Sequence, residues 1–173
     1  MNKSVDRKKE SSLNINSDFD FIFAQKWPPI LRWILTIPMG ILGMLLVHLA
    51  YGFIVSMLLK DLSAGSVVTM IVEAIFGFIK FYIFMIAMVA MAPVTKANKF
   101  KAGIGLSFVP FAMVTGFMLL VAKYMETGLS TAGTIINIIT VVLAVIVSLL
   151  SIRSEINKKE EPAEQQETPD MHQ

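Results

Sequence analysis

Residues 66–93, SVVTMIVEAIFGFIKFYIFMIAMVAMAP, hold only two charged side chains, Glu73 and Lys80, in an otherwise apolar run. A helix needs about 20 predominantly apolar residues to cross a hydrocarbon core, and this stretch exceeds that. Working outward, comparable runs lie at 31–59, 102–122 and 129–152. Composition agrees: 55% of the chain is hydrophobic and 16% is charged, against about 25% charged in soluble domains. The expected fold is therefore all-α, a polytopic membrane protein of four transmembrane helices filling residues 29–152. The connections at 60–65, 94–101 and 123–128 are short, which makes consecutive helices antiparallel neighbours in an up-down-up-down bundle.

Residues 1–28 form a polar, lysine-rich leader with Phe19, Phe21 and Phe23 near its end. Ser17 is placed to cap a short interfacial helix over 18–26. Trp27 and Trp33 bracket Pro28 and Pro29, as interfacial anchors do where a chain enters the bilayer. No short apolar segment with a small-residue cleavage site precedes the first span, so that span is expected to act as its own insertion signal. Residues 153–173 are rich in Glu, Gln and Lys with Pro162 and Pro169, the composition of a disordered tail.

Basic residues set the orientation. Lys3, Arg7, Lys8, Lys9, Lys26 and Arg32 precede or open the first span, Lys96, Lys99 and Lys101 follow the second, and Arg153, Lys158 and Lys159 follow the fourth. Only Lys60 and Lys123 fall on the other side. The positive-inside rule places both termini in the cytoplasm of a cell inner or plasma membrane.

Helical periodicity marks the interior faces. In the fourth span Ser130, Gly133, Thr134, Asn137, Thr140, Ala144, Ser148 and Ser151 fall in one sector of roughly 120°, with Val141 the one large apolar residue among them. Small faces of this kind let membrane helices approach closely. In the second span Thr69, Glu73, Gly77, Lys80 and Ala87 share a face, with Phe84 on its inner half. Ala112 and Gly116 give the third span a smaller patch. The expected packing face is thus Gly77, Ala112, Gly116, Gly133, Ala144 and Ser148.

Depth selects the candidate site. At about 1.5 Å per residue, Glu73 lies roughly 10 Å below the outer end of its helix and Lys80 roughly 21 Å. By the same count His48 and Thr140 lie roughly 16 Å deep and Asn137 roughly 12 Å. Glu73 and Lys80 are two turns apart, too far for a direct intrahelical pair, so a bridge through His48 or Asn137 is expected. These five residues form a buried polar network or a pathway.

The chain has no cysteine, and His48 and His172 are its only histidines. Disulfides, thiolate chemistry and a zinc site of the usual kind therefore lack residues, and no metal or cofactor is expected. Phosphate-binding loops and nucleophile motifs are absent as well. The reading is a small non-enzymatic integral membrane protein that packs against a membrane-protein partner, such as an accessory subunit or an immunity-type protein, or against copies of itself. The alternative is an oligomeric pathway for ions, protons or a small solute along His48, Glu73 and Lys80. The basic residues suit anionic lipid headgroups rather than nucleic acid, since glutamates interleave with the tail lysines.

Overall fold

The computed structural model describes residues 15–16, 18–58, 67–124 and 131–157. The helices are α1 (Pro29–Leu58), α2 (Val67–Met91), α3 (Lys96–Leu106), α4 (Phe108–Tyr124) and α5 (Thr131–Asn157), preceded by a 3-10 turn at Ile22–Ala24. α3 and α4 follow one another closely enough to make a single span. The chain thus has four helical spans long and apolar enough to cross a membrane, packed as an all-α bundle. This is the build of a multi-pass membrane protein.

Prolines explain the one break and its location. Pro110 has no N–H to offer the Leu106 carbonyl, and its ring crowds that oxygen. The helix is interrupted at Ser107, where the backbone N–H is shared between the Gly103 and Ile104 carbonyls at 2.9 and 3.3 Å. The Ser107 hydroxyl also donates to the Ile104 carbonyl, at 2.6 Å. Pro38 lies inside α1 without ending it.

Paired residues give the directions of packing. Arg32 meets the end of α2 at Met91, Gly40 faces Met88 and Phe84, and the Tyr51 ring meets that of Phe76 at 4.6 Å, tilted by 48°. α1 and α2 are therefore antiparallel. Gly77 faces Thr140, while Val89 clusters with Ile152. α2 and α5 therefore run parallel, as the second and fourth members of an alternating bundle must.

The core is concentrated in one half of the bundle. Phe84, Met85, Met88, Val141 and Val145 form its main cluster, and Phe19, Val89, Ala90 and Ile152 a second one at the end of α2. Thr140, Ala144 and Ser148 are buried, so this part of the small face of α5 turns toward protein, whereas Asn137 on the same face is exposed. Val141, the large residue on that face, fills the core rather than interrupting it. By contrast, Pro110 alone in α4 is buried among the described residues. Ala112 is exposed, and a Cβ on Gly116 would meet nothing within 4 Å. The patch expected on the third span is thus turned away from the rest of the chain.

The closest backbone approach lies elsewhere, on α1. A Cβ on Gly40 would come within 2.7 Å of Met88 Cγ and 2.9 Å of the Phe84 ring, and one on Gly43 within 3.1 Å of Ile83 Cγ2. Without side chains at these positions α1 can lie against the widest residues of α2.

Several boundaries differ from those expected. The third span begins at Lys96 rather than at 102, because residues read as a charged loop are helical and Lys99 is buried in protein. α5 continues through Arg153 to Asn157, where Ile156 packs against the second cluster. Arg153 lies over the Phe100 ring at 5.8 Å. The start of the segment read as a disordered tail is therefore ordered helix. Between 18 and 26 only a 3-10 turn forms, and Ser17, its expected cap, lies outside the described residues. So do 1–14, 158–173 and the connections at 59–66 and 125–130. Trp27 is half-buried and meets the Phe23 ring edge-on at 5.3 Å, whereas Trp33 is exposed.

These contacts separate two glycines that look alike in the sequence. Overpacking a tight contact costs about 1–3 kcal/mol, so Gly40→Ala is expected to lower stability by about that amount. Gly116→Ala should leave it unchanged or raise it, since alanine is the better helix former. Unfolding of both variants in detergent, followed by circular dichroism during a denaturant titration, measures the difference.

Candidate functional site

The residues of the expected polar band do not come together as one network. Glu73 and Asn137 approach each other across α2 and α5, where they line a shallow hollow of about 80 Å³ with Met70, Ala74, Gly133 and Ile136. Thr140 is buried just beyond, its methyl 3.2 Å from where a Gly77 Cβ would lie. Its hydroxyl returns to its own helix, donating to the Ile136 carbonyl at 2.7 Å. Lys80 is half-buried, and His48, Glu73 and Asn137 are exposed at the surface of the bundle. Among the described residues, no side-chain hydrogen bond or ion pair joins His48, Glu73, Lys80 or Asn137 to one another or to any other group. The described residues therefore form no bridge between Glu73 and Lys80.

A different set of charges does converge, at the end of the bundle where α2 stops. The last turn of α2 reads MVAM and is followed by Ala92 and Pro93. A helix end leaves its final carbonyls without intrahelical donors, and this apolar sequence supplies no side chain to cap them. Two cations from elsewhere do so. Lys99 Nζ donates to the Val89 carbonyl at 2.9 Å, to the Ala92 carbonyl at 2.7 Å and to Asp20 Oδ1 at 2.5 Å. An ammonium has three donors, and all three are used. Arg32 donates through Nε to the Met91 carbonyl at 3.1 Å, and through Nη2 to Asp20 Oδ1 at 2.5 Å and the Ala92 carbonyl at 3.3 Å. The Lys99 side chain is fully buried and that of Arg32 is 8% exposed.

Asp20 is held for this role by a local turn. The Asn16 side-chain oxygen accepts from the backbone N–H groups of Asp18 and Asp20 at 3.0 and 2.8 Å. An isolated antiparallel bridge pairs Ile15 with Phe21. Between them Phe19 adopts a left-handed backbone, with φ of 59°. A conformation of that hand costs a non-glycine residue about 1–2 kcal/mol. Burial of the Phe19 ring against Val89, Ala90 and Ile152 offsets it. The turn therefore drives a phenyl ring into the core and presents the next residue's carboxylate to Lys99 and Arg32.

Three charges, one negative and two positive, thus meet the negative end of the α2 dipole. The second positive charge is balanced by four carbonyl contacts rather than by a second acid. Sequence reasoning assigned Arg32 and Lys99 to topology alone and Asp20 to the leader. The signal that identifies them is the apolar last turn of α2, whose carbonyls need donors from outside the helix.

Beside this cluster lies a hollow of about 430 Å³ between the N-terminal turn, α2, the start of α3 and the end of α5. At the other end an apolar groove of about 490 Å³ separates α4 from α5. No protein-family model, curated protein or solved structure matches this chain.

Removing one member of a buried ion pair typically costs about 3–5 kcal/mol, because the other charge is stranded. Asp20→Asn is expected to destabilise the protein by about that much, while Asp18→Asn, at an exposed position, stays within about 0.5 kcal/mol of wild type. Unfolding in detergent of the two variants side by side provides the check.

Proposed function

We propose that this chain is a non-enzymatic membrane subunit that works by packing against a transmembrane helix of a membrane-protein partner. The observation that carries the reading is the placement of Glu73: an ionisable group at apolar depth, exposed on the bundle surface, with no hydrogen-bonding partner among the described residues. Intramembrane ionisable residues face protein or water and find partners. The hollow shared by Glu73, Asn137 and Gly133 suits a helix that brings a donor such as a lysine, arginine or hydroxyl. Small residues at its rim allow close approach. The nearly bare surface of α4 adds apolar area to the same purpose.

The proposed setting is a cell inner or plasma membrane, with both termini in the cytoplasm. Support comes from the basic residues: Lys26, Arg32, Lys96, Lys99, Lys101 and Arg153 all belong to the end of the bundle that holds the described termini. This is the distribution that the positive-inside rule associates with the cytoplasmic face.

An oligomeric transport pathway is the second reading, and the same hollow favours it. Phe84, Met85 and Met88 are fully buried between α1, α2 and α5, so a path through one chain meets a packed core. A pathway would run between chains, along the surface that carries Glu73 and Asn137.

Co-purification from native membranes tests the first reading. Wild-type chain is expected to bring down a partner in constant ratio, and Glu73→Leu to reduce its recovery at least about tenfold, equivalent to 1.4 kcal/mol or more. Equal recovery by the variant contradicts it. Proteoliposomes test the second: a proton or ion flux that Glu73→Gln abolishes favours transport over the subunit role.

A further inference from the structure

Glu73 and Lys123 are opposite charges left over in the same half of the bundle. Both are exposed, and among the described residues neither makes a hydrogen bond or an ion pair. Lys123 rests against the ring of the adjacent Tyr124, 5.5 Å from its centroid. That contact leaves the three donors of the ammonium without acceptors.

Their depths agree. Gly103 lies beside Val89, with 3.4 Å between a Cβ built on the glycine and Val89 Cγ2. Outward from that level, at about 1.5 Å per residue, Lys123 lies roughly 30 Å along α3 and α4 and Glu73 roughly 24 Å along α2. Side chains lean toward the N-terminus of their own helix. The two spans are antiparallel, so Lys123 leans inward and Glu73 outward, and the charged heads reach one level. Lys80 lies roughly 10 Å deeper than Glu73, which leans away from it.

We propose that the chain self-associates, with α4 of one copy seated at the hollow between α2 and α5 of another, pairing Lys123 of the first with Glu73 of the second. The assignment rests on the subunit reading of Glu73 and names its partner. Copies inserted with the same topology are related by rotation about the membrane normal, which preserves depth, so only groups at one level can pair across the contact. Charge complementarity then selects the surfaces. Apposing α2 with α2 would set Glu73 against Glu73, and lipid tails bring no cation. The α4 surface that carries Lys123 is also the one without neighbours. Ala112 and Gly116 lie within about 20° of Lys123 around the helix; Ala112 is exposed and a Cβ on Gly116 would meet nothing within 4 Å.

Energy transfer between dye-labelled full-length chains in liposomes, followed as the chain-to-lipid ratio is raised, tests this. The chain has no cysteine, so one added at the C-terminus takes the dye. Wild type is expected to associate, and Glu73→Gln and Lys123→Gln each to weaken association at least about tenfold, within the cost of stranding one charge of a desolvated pair. The double variant should be no weaker than either single one, and unchanged unfolding midpoints confirm that all three fold. A second measurement keeps both charges: Met70→Cys chains oxidised together with Leu120→Cys chains should give a cross-linked dimer, and neither variant alone should do so. Wild type that stays monomeric, or single losses that multiply in the double variant, overturns the proposal. Weakening by Lys123→Gln but not by Glu73→Gln assigns the lysine to lipid headgroups and overturns it too. If wild type is monomeric in liposomes while Glu73→Leu still loses another protein from native membranes, the partner is not a second copy and the subunit reading stands.

Discussion

The unsatisfied carbonyls at the end of α2 are the constraint on which the rest of the structure depends. Buried backbone acceptors need donors, and the side chains from Met88 to Pro93 have none to give to the Val89, Met91 and Ala92 carbonyls. Arg32 from the start of α1 and Lys99 from α3 supply them, and Asp20 from the N-terminal turn holds the two cations together. One junction therefore ties three separate segments to α2. It also explains features that have no reason of their own, including the left-handed Phe19, the burial of a lysine inside a membrane protein, and the helical course of residues 96–101.

That junction divides the bundle. Near it, Phe84, Met85 and Met88 pack against α1 and α5, helped by the absence of side chains at Gly40 and Gly43. Away from it, α1 and α2 turn large apolar residues outward, including Leu49, Phe53, Val67 and Ile71. Glu73, His48 and Asn137 share this open half. A fixed half and an open half fit the proposal that another molecule in the bilayer completes these polar groups. Lipid can cover the apolar residues, but it offers no partner for a carboxylate.

Much of the fold was legible in the sequence, and the reason is physical. Span length is set by bilayer thickness, and connection length fixes antiparallel neighbours, so four apolar runs leave little choice. The buried face of α5 was also readable, because Thr140, Ala144 and Ser148 repeat at helical spacing. The charges were harder. Reading Lys99 as a loop residue assumed that a lysine beside a span lies in water, whereas burial here is offset by two carbonyls at the end of α2 and the distant Asp20 carboxylate. Depth counting placed His48, Glu73, Lys80 and Asn137 in one band, but depth carries no angular information between helices. Among the described residues Glu73 and Asn137 line one hollow, without His48 or Lys80. Gly40 and Gly43 went unnoticed because α1 is apolar on every side and offers no periodic contrast.

A double-mutant cycle between Asp20 and Lys99 tests the central claim most directly. Stabilities of wild type, Asp20→Asn, Lys99→Met and the double variant, measured by unfolding in the same detergent, give the coupling between the two side chains. Residues in one buried network couple by about 0.5–3 kcal/mol, and a favourable coupling in the upper half of that range is the expected result. A coupling near zero, with the two single losses simply adding, would mean that the carboxylate does not hold the lysine at the end of α2.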